Sequence, residues 1–229
     1  MTRNGVPHHR VPHDGAVPDA QEAVPEWTVV VLTGGGSRRM GQDKATLDVG
    51  GATLLDRTLA DVPPEVPVVV AGPPVTMARP GVRFAQEEPP GGGPVAGVDA
   101  ALALVVAPVV VVLATDLPMV GALPVALVRS LVDAPLKDAV LSMDVSGRPQ
   151  QLCAAYRTDA LRAAIAEGGT ATGVAMREVV GRLRTSTLSI IARGEQRGET
   201  VAVDPTWDID TPEDLHRLEA LLDEGTNDT

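Results

Sequence analysis

Short apolar runs alternate along the chain with segments in which apolar residues recur at helical spacing. The runs are rich in valine and are bounded by glycine and proline, a pattern typical of strands buried in a sheet. The segments between them have the spacing of amphipathic helices, and the alternation indicates an α/β protein. We predict strands at 29–32, 66–71, 81–85, 109–113, 139–143 and 152–156, and helices at 53–62, 98–106, 123–132, 159–167 and 172–180.

A further helix near the end of the chain is predicted from the residues at its start. Thr211 is suited to cap the helix, Pro212 suits the first helical position, and Asp214 is placed to bond back to the cap. The leucines that follow have helical spacing and predict one buried face, formed by Leu215, Leu218, Leu221 and Leu222.

The length of the chain, 229 residues, is sufficient for one domain with a substantial core. Residues 1–25 are rich in proline, glycine, histidine and aspartate and lack periodicity, so we predict a disordered tail there. We predict a single domain at 26–224 and a disordered end at 225–229. The longest apolar stretch, 100–114, is interrupted by Pro108 and is too short for a membrane span.

Cysteine content and charge indicate the compartment of the protein and exclude some classes of partner. The single cysteine, Cys153, excludes an intrachain disulfide, and the first residues lack the apolar core of a signal peptide. We therefore expect a cytoplasmic protein. The net charge of −11 is concentrated near the two ends, and there is no basic stripe and little aromatic surface. Neither nucleic acid nor a membrane is expected as a partner.

The first strand leads into a stretch that carries candidate chemistry, LTGGGSRRMGQDK at 32–44. Consecutive glycines allow backbone N–H groups to converge on phosphate oxygens, and Arg39 and Lys44 supply positive charge. Gln42 follows Gly41 where a Walker loop needs lysine, and Arg39 stands where a dinucleotide fingerprint needs glycine. The alternative is an ordinary strand-to-helix turn with surface bases.

This stretch resembles the signature loop of the MobA-like nucleotidyltransferases, with Thr33 where alanine is usual. The resemblance implies a three-layer α/β/α Rossmann-like nucleotidyltransferase fold with a mostly parallel central sheet. It also implies that Arg39 and Lys44 act in catalysis. The nucleotide-binding residues implied within the stretch are Leu32, Thr33, Gly34, Gly35, Gly36 and Lys44.

A second glycine-rich turn precedes the helix predicted at 98–106. Gly93 begins a Gly-Pro-Val-Ala-Gly element that matches an element holding the nucleotide in the resembled family. The family also has an acidic residue slightly upstream, in contact with the nucleotide. Glu87 is the better match and Glu88 is the alternative. A flexible loop without a ligand is the other interpretation of this turn.

Aspartates follow two further elements and are candidate metal ligands. Asp116 comes just after the most apolar strand, where open α/β sheets bind ligands, and a carboxylate there suits Mg²⁺. The resemblance implies that Asp116 acts in catalysis, nucleotide binding and metal binding, and that Asp210 is a second metal ligand. Helix capping is the simpler interpretation of Asp116. Asp208 and Asp210 share one face if their segment is extended.

The resemblance implies an Mg²⁺-dependent enzyme that transfers GMP from GTP to molybdopterin and releases pyrophosphate. The Asp-Ile-Asp element resembles instead the cytidylyltransferases, so CTP is the alternative nucleotide, and a sugar phosphate is an alternative acceptor. A non-catalytic partner protein that kept the fold is the alternative from another class. Arg148 and Arg157 are candidates for contact with an acidic acceptor, or are solvated surface residues. The oligomeric state is not predicted.

Overall fold

The computed structural model describes residues 25–33, 44–189, 192–196 and 199–226. The elements in chain order are β1 (Trp27–Leu32), a 3-10 helix (Lys44–Thr46), β2 (Asp48–Val49), β3 (Ala52–Thr53), α1 (Leu54–Thr58), β4 (Val68–Ala71), β5 (Arg83–Ala85), α2 (Pro94–Leu102), β6 (Val109–Ala114), α3 (Leu123–Val132), β7 (Ala139–Met143), β8 (Pro149–Arg157), α4 (Thr158–Glu167), α5 (Met176–Val180), β9 (Thr185–Leu188), β10 (Ala192–Gln196), β11 (Glu199–Val203) and α6 (Pro212–Thr226).

The central sheet has seven strands in the order β5-β4-β1-β6-β8-β7-β9. Strand β8 is antiparallel to both of its neighbours, and the other pairings in this sheet are parallel. After β1 the chain forms β4 and β5 on one side of β1. Helix α2 then crosses back, and β6 pairs with the other side of β1. The order therefore reverses between β1 and β6, and such a switch point opens a crevice at the carboxyl ends of the two strands.

Valines on alternate sides of the strands fill two separate cores. Val29, Val31 and Val111 pack with side chains of α1 and α3 on one face of the sheet. Val30 and Val112 pack with α2, α4 and α5 on the other face. Because both faces are covered, the strands are apolar on both sides, which explains their continuous valine runs. The prediction of a three-layer fold with a mostly parallel sheet is confirmed.

A smaller apolar cluster attaches α6 to the domain. Val49 from β2, Leu54 from α1, Ile209 and Leu218 are buried together, and Leu215 and Leu222 pack against them. The predicted start of α6 is confirmed: Asp214 N–H donates to Thr211 Oγ1 at 3.2 Å, and the Thr211 hydroxyl donates to the Asp214 carboxylate at 2.7 Å.

Several predicted boundaries are wrong for identifiable reasons. Helix α2 begins at Pro94 and not at 98, because Gly93 adopts φ 93° and acts as the N-cap, so the following residues are already helical. It ends at Leu102 and not at 106, with Ala103 as its C-cap. Helix α5 begins at Met176 and not at 172, since Gly173 has φ 76°. The β2–β3 hairpin was not predicted, although Gly50 and Gly51, both at positive φ, are a common hairpin signal.

Within the described residues, no helix combines the length and the apolar character needed to span a membrane.

We expect the core under α3 to dominate stability. Leu127 is 0% exposed, whereas Leu136, just beyond α3, is 75% exposed. Leu127→Ala should lower the free energy of unfolding by about 2–5 kcal/mol, because it leaves a cavity, while Leu136→Ala should change it by less than about 0.5 kcal/mol. Urea denaturation measures both values. Equal losses in the two variants would contradict this assignment of the core.

Candidate active site

Lys44 lies at the switch point between two carboxylates that are distant from it in sequence. Its Nζ is 2.7 Å from Asp210 Oδ1 and 3.4 Å from Asp116 Oδ2. The Lys44 side chain is only 8% exposed, whereas Asp116 and Asp210 are 27% and 56% exposed. The two acids therefore reach the solvent from either side of a buried ammonium group. The structure brings together the predicted residues that follow β1, β6 and β11.

The charge state of Lys44 depends on these two partners. Burial by itself lowers the pKa of Lys44, but the hydrogen bond to Asp210 and the charges of Asp116 and Asp210 outweigh it, so the pKa lies above its ordinary value of 10.5. Lys44 is consequently protonated at neutral pH. A fixed cation at this position can act on the oxygens of an incoming phosphate chain.

Backbone hydrogen bonds hold the strand ends that carry this cluster. Thr115 is buried, and its N–H and hydroxyl both donate to the Leu32 carbonyl, which joins the ends of β6 and β1. The Thr58 hydroxyl donates to the Thr115 carbonyl at 2.9 Å, and the Ile209 N–H donates to the Asp116 carbonyl at 2.9 Å. Asp116 is thereby fixed next to the segment that carries Asp210.

Asp208 is a third carboxylate beside the cluster. Partial desolvation raises its pKa above the ordinary value, and the nearby negative charges of Asp210 and Asp116 raise it further. The Asp208 side chain is still exposed at the rim of the site. The charges of Asp208 and Asp210 interact, as expected if the two side chains share one face of the segment.

The second glycine-rich turn places a helix start and one carboxylate at the same edge of the sheet. Helix α2 has no side-chain cap, so N–H groups of its first turn point outward past Gly93. Glu87 Oε1 accepts a hydrogen bond from Gly91 N–H at 2.9 Å, and its side chain is half-buried, whereas Glu88 is exposed. Glu87 therefore faces the turn, which favours it over Glu88 as the acid beside a nucleotide.

Leu32 and Thr33, at the end of β1, pack against glycines of two neighbouring segments. A Cβ at Gly97 would lie 3.1 Å from Leu32 Cδ2, so the absence of a side chain at Gly97 lets α2 lie close to β1. The Thr33 hydroxyl donates to the Ala71 carbonyl at 3.1 Å and fills the space that a Cβ at Gly72 would need. Thr33, the departure from the family pattern, thus satisfies its own hydroxyl without a ligand.

The remaining predicted site residues, Gly34, Gly35, Gly36 and Arg39, lie outside the described residues. The roles of all predicted site residues stay predictions. A shared site requires that the predicted residues lie close together. Lys44 contacts both Asp116 and Asp210. The other described candidates lie along the same edge of the sheet, namely Leu32, Thr33, Glu87 and Gly93.

A cleft of about 590 Å³ opens beside Asp116. The sequence did not predict that the segments lining it come together. Its walls come from the turn between β7 and β8, which includes Arg148, and from the segment that precedes α6. Arg157 lies elsewhere: its guanidinium bonds to the carbonyls of Lys137 and Leu131, and its backbone pairs with Val109 at the amino end of β6. The position of Arg148 beside Asp116 follows from the pairing of β8 with β6 and β7 and was not predicted from the sequence.

The donor set fits a magnesium ion that also binds a substrate. Asp116 and Asp210 provide two carboxylates within reach of one buried cation, and Mg²⁺ in phosphate-transfer sites takes one or two carboxylates and completes its shell with phosphate oxygens and water. Among the described residues, no three or more His, Cys, Asp or Glu side chains form a metal-binding group. A complete protein cage for a metal is therefore not found there.

We expect substitution of the two neighbouring aspartates to have different effects on stability. Asp210→Asn should lower the free energy of unfolding at pH 7 by about 1–2 kcal/mol, because it removes one of the two carboxylates beside a buried ammonium group. The loss is limited because the Asp210 side chain is itself exposed to solvent. Asp208→Asn should leave the melting temperature unchanged or raise it, since the raised pKa of Asp208 shows that its charged form is disfavoured in the fold.

The pH dependence provides a check on the Asp210 result. A raised pKa means that the Lys44 interaction is fully present below the ordinary value of 10.5 and is lost as pH rises through the folded-state value. Thermal unfolding of both variants and the parent chain between pH 7 and 11 measures this. A loss of stability in Asp208→Asn equal to that in Asp210→Asn would contradict the assigned electrostatics.

Comparison with known proteins identifies the family of the chain. Residues 29–186 match the model of a family described as the MobA-like NTP transferase domain. The probable molybdenum cofactor guanylyltransferase of Chloroflexus aggregans is 31% identical over 209 residues, which cover 84% of this chain and 93% of that protein. That of Pelotomaculum thermopropionicum is 38% identical over 96 residues, and there the match spans 46% of the relative and 41% of this chain.

The fold also matches a solved structure. Molybdopterin-guanine dinucleotide biosynthesis protein A from Archaeoglobus fulgidus superposes with a TM-score of 0.62 at 22% identity, over 86% of this chain and 98% of that one. At this identity the likeness concerns the fold. The family match covers the strands and turns that build the switch point, together with Lys44 and Asp116, and the chain belongs to the MobA-like NTP transferase family.

Proposed function

We propose that this protein transfers the guanylyl group of GTP to molybdopterin and releases pyrophosphate in a magnesium-dependent reaction. The observation that carries the proposal is the contact of buried Lys44 with Asp116 and Asp210 at the switch point of the sheet. The family membership and the names of the relatives support the choice of reaction and of substrates.

In this reaction two anions, the acceptor phosphate and the triphosphate of GTP, must approach one another. A phosphate oxygen of the acceptor attacks the α-phosphorus of GTP, the bond from that phosphorus to the bridging oxygen breaks, and pyrophosphate leaves. Positioning and charge neutralisation supply most of the rate enhancement in such a transfer. Lys44 offsets charge on the triphosphate from its buried position, and Arg39 is placed in sequence to add a second positive charge.

Asp116 and Asp210 are the residues that would hold the metal. When bound, Mg²⁺ supplies Lewis-acid neutralisation to phosphate oxygens. Lys44 already contacts both carboxylates, so it keeps them close together and prevents them from repelling one another.

Glu87 provides a physical reason for a preference for guanine. The Watson–Crick edge of guanine presents two adjacent N–H donors, and a carboxylate accepts two such donors well. Glu87 is half-buried beside the N-terminus of α2, where the outward N–H groups can bind acceptor oxygens. A carboxylate and a set of N–H donors together complement a base that offers both donors and an acceptor.

CTP is the second candidate nucleotide. It is favoured by Asp208 and Asp210, an Asp-x-Asp pair that resembles the cytidylyltransferases and lies beside Asp116. Cytosine, however, lacks the paired ring and amino donors that suit Glu87. We therefore retain GTP as the first choice.

Nucleotide choice and metal dependence can be measured by thermal shift. GTP with Mg²⁺ should raise the melting temperature more than CTP, ATP or UTP, because a ligand that binds only the folded state stabilises it in proportion to its affinity. EDTA should remove most of the shift. A larger shift with CTP would replace GTP by CTP in the proposal.

Catalysis is tested with Asp116→Ala, which should slow pyrophosphate release in the presence of GTP and molybdopterin by roughly 100- to 1000-fold. Asp61→Ala removes an equivalent carboxylate from an exposed position after α1 and should retain the parent rate. If the Asp116→Ala variant releases pyrophosphate as fast as the parent chain, the catalytic proposal fails. A parent chain that binds GTP and releases no pyrophosphate would be a non-catalytic relative that kept the fold.

The acidic residue beside the base can be assigned with a matched pair. Glu87→Gln should raise the Kd for GTP roughly tenfold, because the amide supplies a donor where the base supplies donors, and should reduce discrimination against CTP. Glu88→Gln should change the Kd by less than about twofold, since Glu88 is exposed. Calorimetric titration measures both values. Equal effects, or a larger effect at Glu88, would contradict the assignment.

A further inference from the structure

The cleft beside Asp116 contains one basic residue among the described residues that line it. Four aspartates line its wall, namely Asp116, Asp144, Asp204 and Asp208, and Arg148 is the basic residue opposed to them. A phosphate-bearing acceptor that enters this cleft must approach both these acids and a bound triphosphate. Without a cation in the cleft, like charges would oppose its entry.

Two of the four aspartates are engaged in the local fold and are not directed at a substrate. Asp144 Oδ1 accepts hydrogen bonds from Ser146 N–H at 2.9 Å, the Ser146 hydroxyl at 2.7 Å and Arg148 N–H at 2.8 Å, and Oδ2 accepts one from Gln150 at 2.9 Å. Asp204 Oδ1 accepts two from Thr206, at 2.9 and 2.7 Å. The Ser146 and Arg148 bonds hold the pKa of Asp144 below its ordinary value. Asp204 Oδ2 also accepts a hydrogen bond from Val145 N–H at 3.4 Å, so both carboxylates are engaged by neighbouring groups of the protein.

The bonds to Asp144 also fix the backbone of Arg148. Gly147 adopts φ 80°, so the turn between β7 and β8 is tight, and Arg148 Nε donates to Ser146 Oγ at 2.9 Å. Within the described residues, no further hydrogen bond of this guanidinium is found, and the side chain is exposed to the cleft. Its two terminal NH₂ groups thus present the fork of donors that binds two oxygens of one phosphate.

The other walls of the cleft suit the body of a heterocyclic acceptor. Val145 is 79% exposed at the tip of the same turn, which is unusual for a large apolar side chain. Trp207 lines the cleft from the segment before α6, and the Arg217 guanidinium lies 4.9 Å from the centre of its ring. In a chain with only 2% aromatic residues, one of the two tryptophans is placed here. A planar ring system with a phosphate at one end matches these walls.

We propose that Arg148 binds the phosphate of the acceptor and holds it for attack, with the ring system of the acceptor against Val145 and Trp207. This inference rests on the proposed function, because it takes molybdopterin as the acceptor. Arg148 forms no bond with the reacting phosphorus of GTP. It neutralises the attacking phosphate and sets acceptor affinity independently of nucleotide affinity.

The test is an anaerobic titration of molybdopterin followed by tryptophan fluorescence. The protein is saturated with Mg²⁺ and a GTP analogue that carries a methylene group between the α- and β-phosphorus atoms, so that no transfer occurs. Arg148→Ala should raise the Kd for molybdopterin about 10- to 100-fold, as expected for the loss of two charged hydrogen bonds. Arg148→Lys keeps the positive charge but lacks the two terminal NH₂ groups, so its Kd for molybdopterin should lie between those of the parent chain and Arg148→Ala.

Two controls separate phosphate binding from a structural effect. Arg129→Ala removes an exposed arginine from α3, outside the residues that line the cleft, and should leave the Kd unchanged. Molybdopterin whose phosphate has been removed should bind the parent chain and Arg148→Ala with the same Kd. The melting shift produced by GTP and Mg²⁺ should also be the same in both proteins.

The outcomes distinguish this inference from the proposed function. If Arg148→Ala binds molybdopterin within twofold of the parent chain, or weakens the phosphorylated and dephosphorylated forms equally, the role of Arg148 is overturned. Failure of the parent chain to bind molybdopterin would also overturn it. If GTP produces no melting shift while molybdopterin binding still depends on Arg148 and on the phosphate, then guanylyl transfer is wrong and the phosphate site stands.

Discussion

The structure depends on the ion cluster in which the buried ammonium group of Lys44 contacts Asp116 and Asp210. An ammonium group with so little solvent exposure is unfavourable unless carboxylates accompany it, and two carboxylates this close are unfavourable without a cation between them. Each group therefore compensates the others. The three residues come from segments after β1, after β6 and before α6, so the cluster also joins three distant parts of the chain at one point.

The sheet makes this cluster possible. Valines on both faces of β1 and β6 place the two strands at the centre of the sheet, between two helical layers. The reversal of strand order leaves the carboxyl ends of β1 and β6 without a crossing helix, and Thr115 ties these ends together through the Leu32 carbonyl. The Leu32 and Thr115 carbonyls at this edge of the apolar interior both accept hydrogen bonds.

Two sides of the switch point have different chemical character. On the side of β4 and β5, Glu87 and the start of α2 offer a carboxylate and backbone N–H groups, which complement a base and phosphates. On the side of β8 and β7, the cleft offers Arg148, Val145 and Trp207, which complement a second molecule with a phosphate and a ring. Asp116 lines this cleft and also contacts Lys44.

Local patterns predicted the elements well where the signals were strong, and boundaries poorly where glycine and proline had two possible roles. The buried strands were evident from their valine runs, and the start of α6 from Thr211, Pro212 and Asp214. The start of α2 was misplaced because Gly93 and Pro94 are compatible with both a loop and a helix start. The choice was decided by packing of Val95 and Val98 in the core on that face of the sheet.

The sequence by itself determined that a glycine-rich stretch with Lys44 follows a central strand, and that Asp116 and Asp210 follow other apolar segments, because strand, turn and cap signals are local. It left Glu87 and Glu88 unresolved, as well as Arg148 and Arg157. Only the tertiary structure distinguishes the members of each pair by position, because it turns Glu87 toward Gly91 and places Arg148 and Arg157 at opposite ends of β8. Side-chain direction and proximity between distant segments depend on strand order and register, which are set by the packing of the whole core.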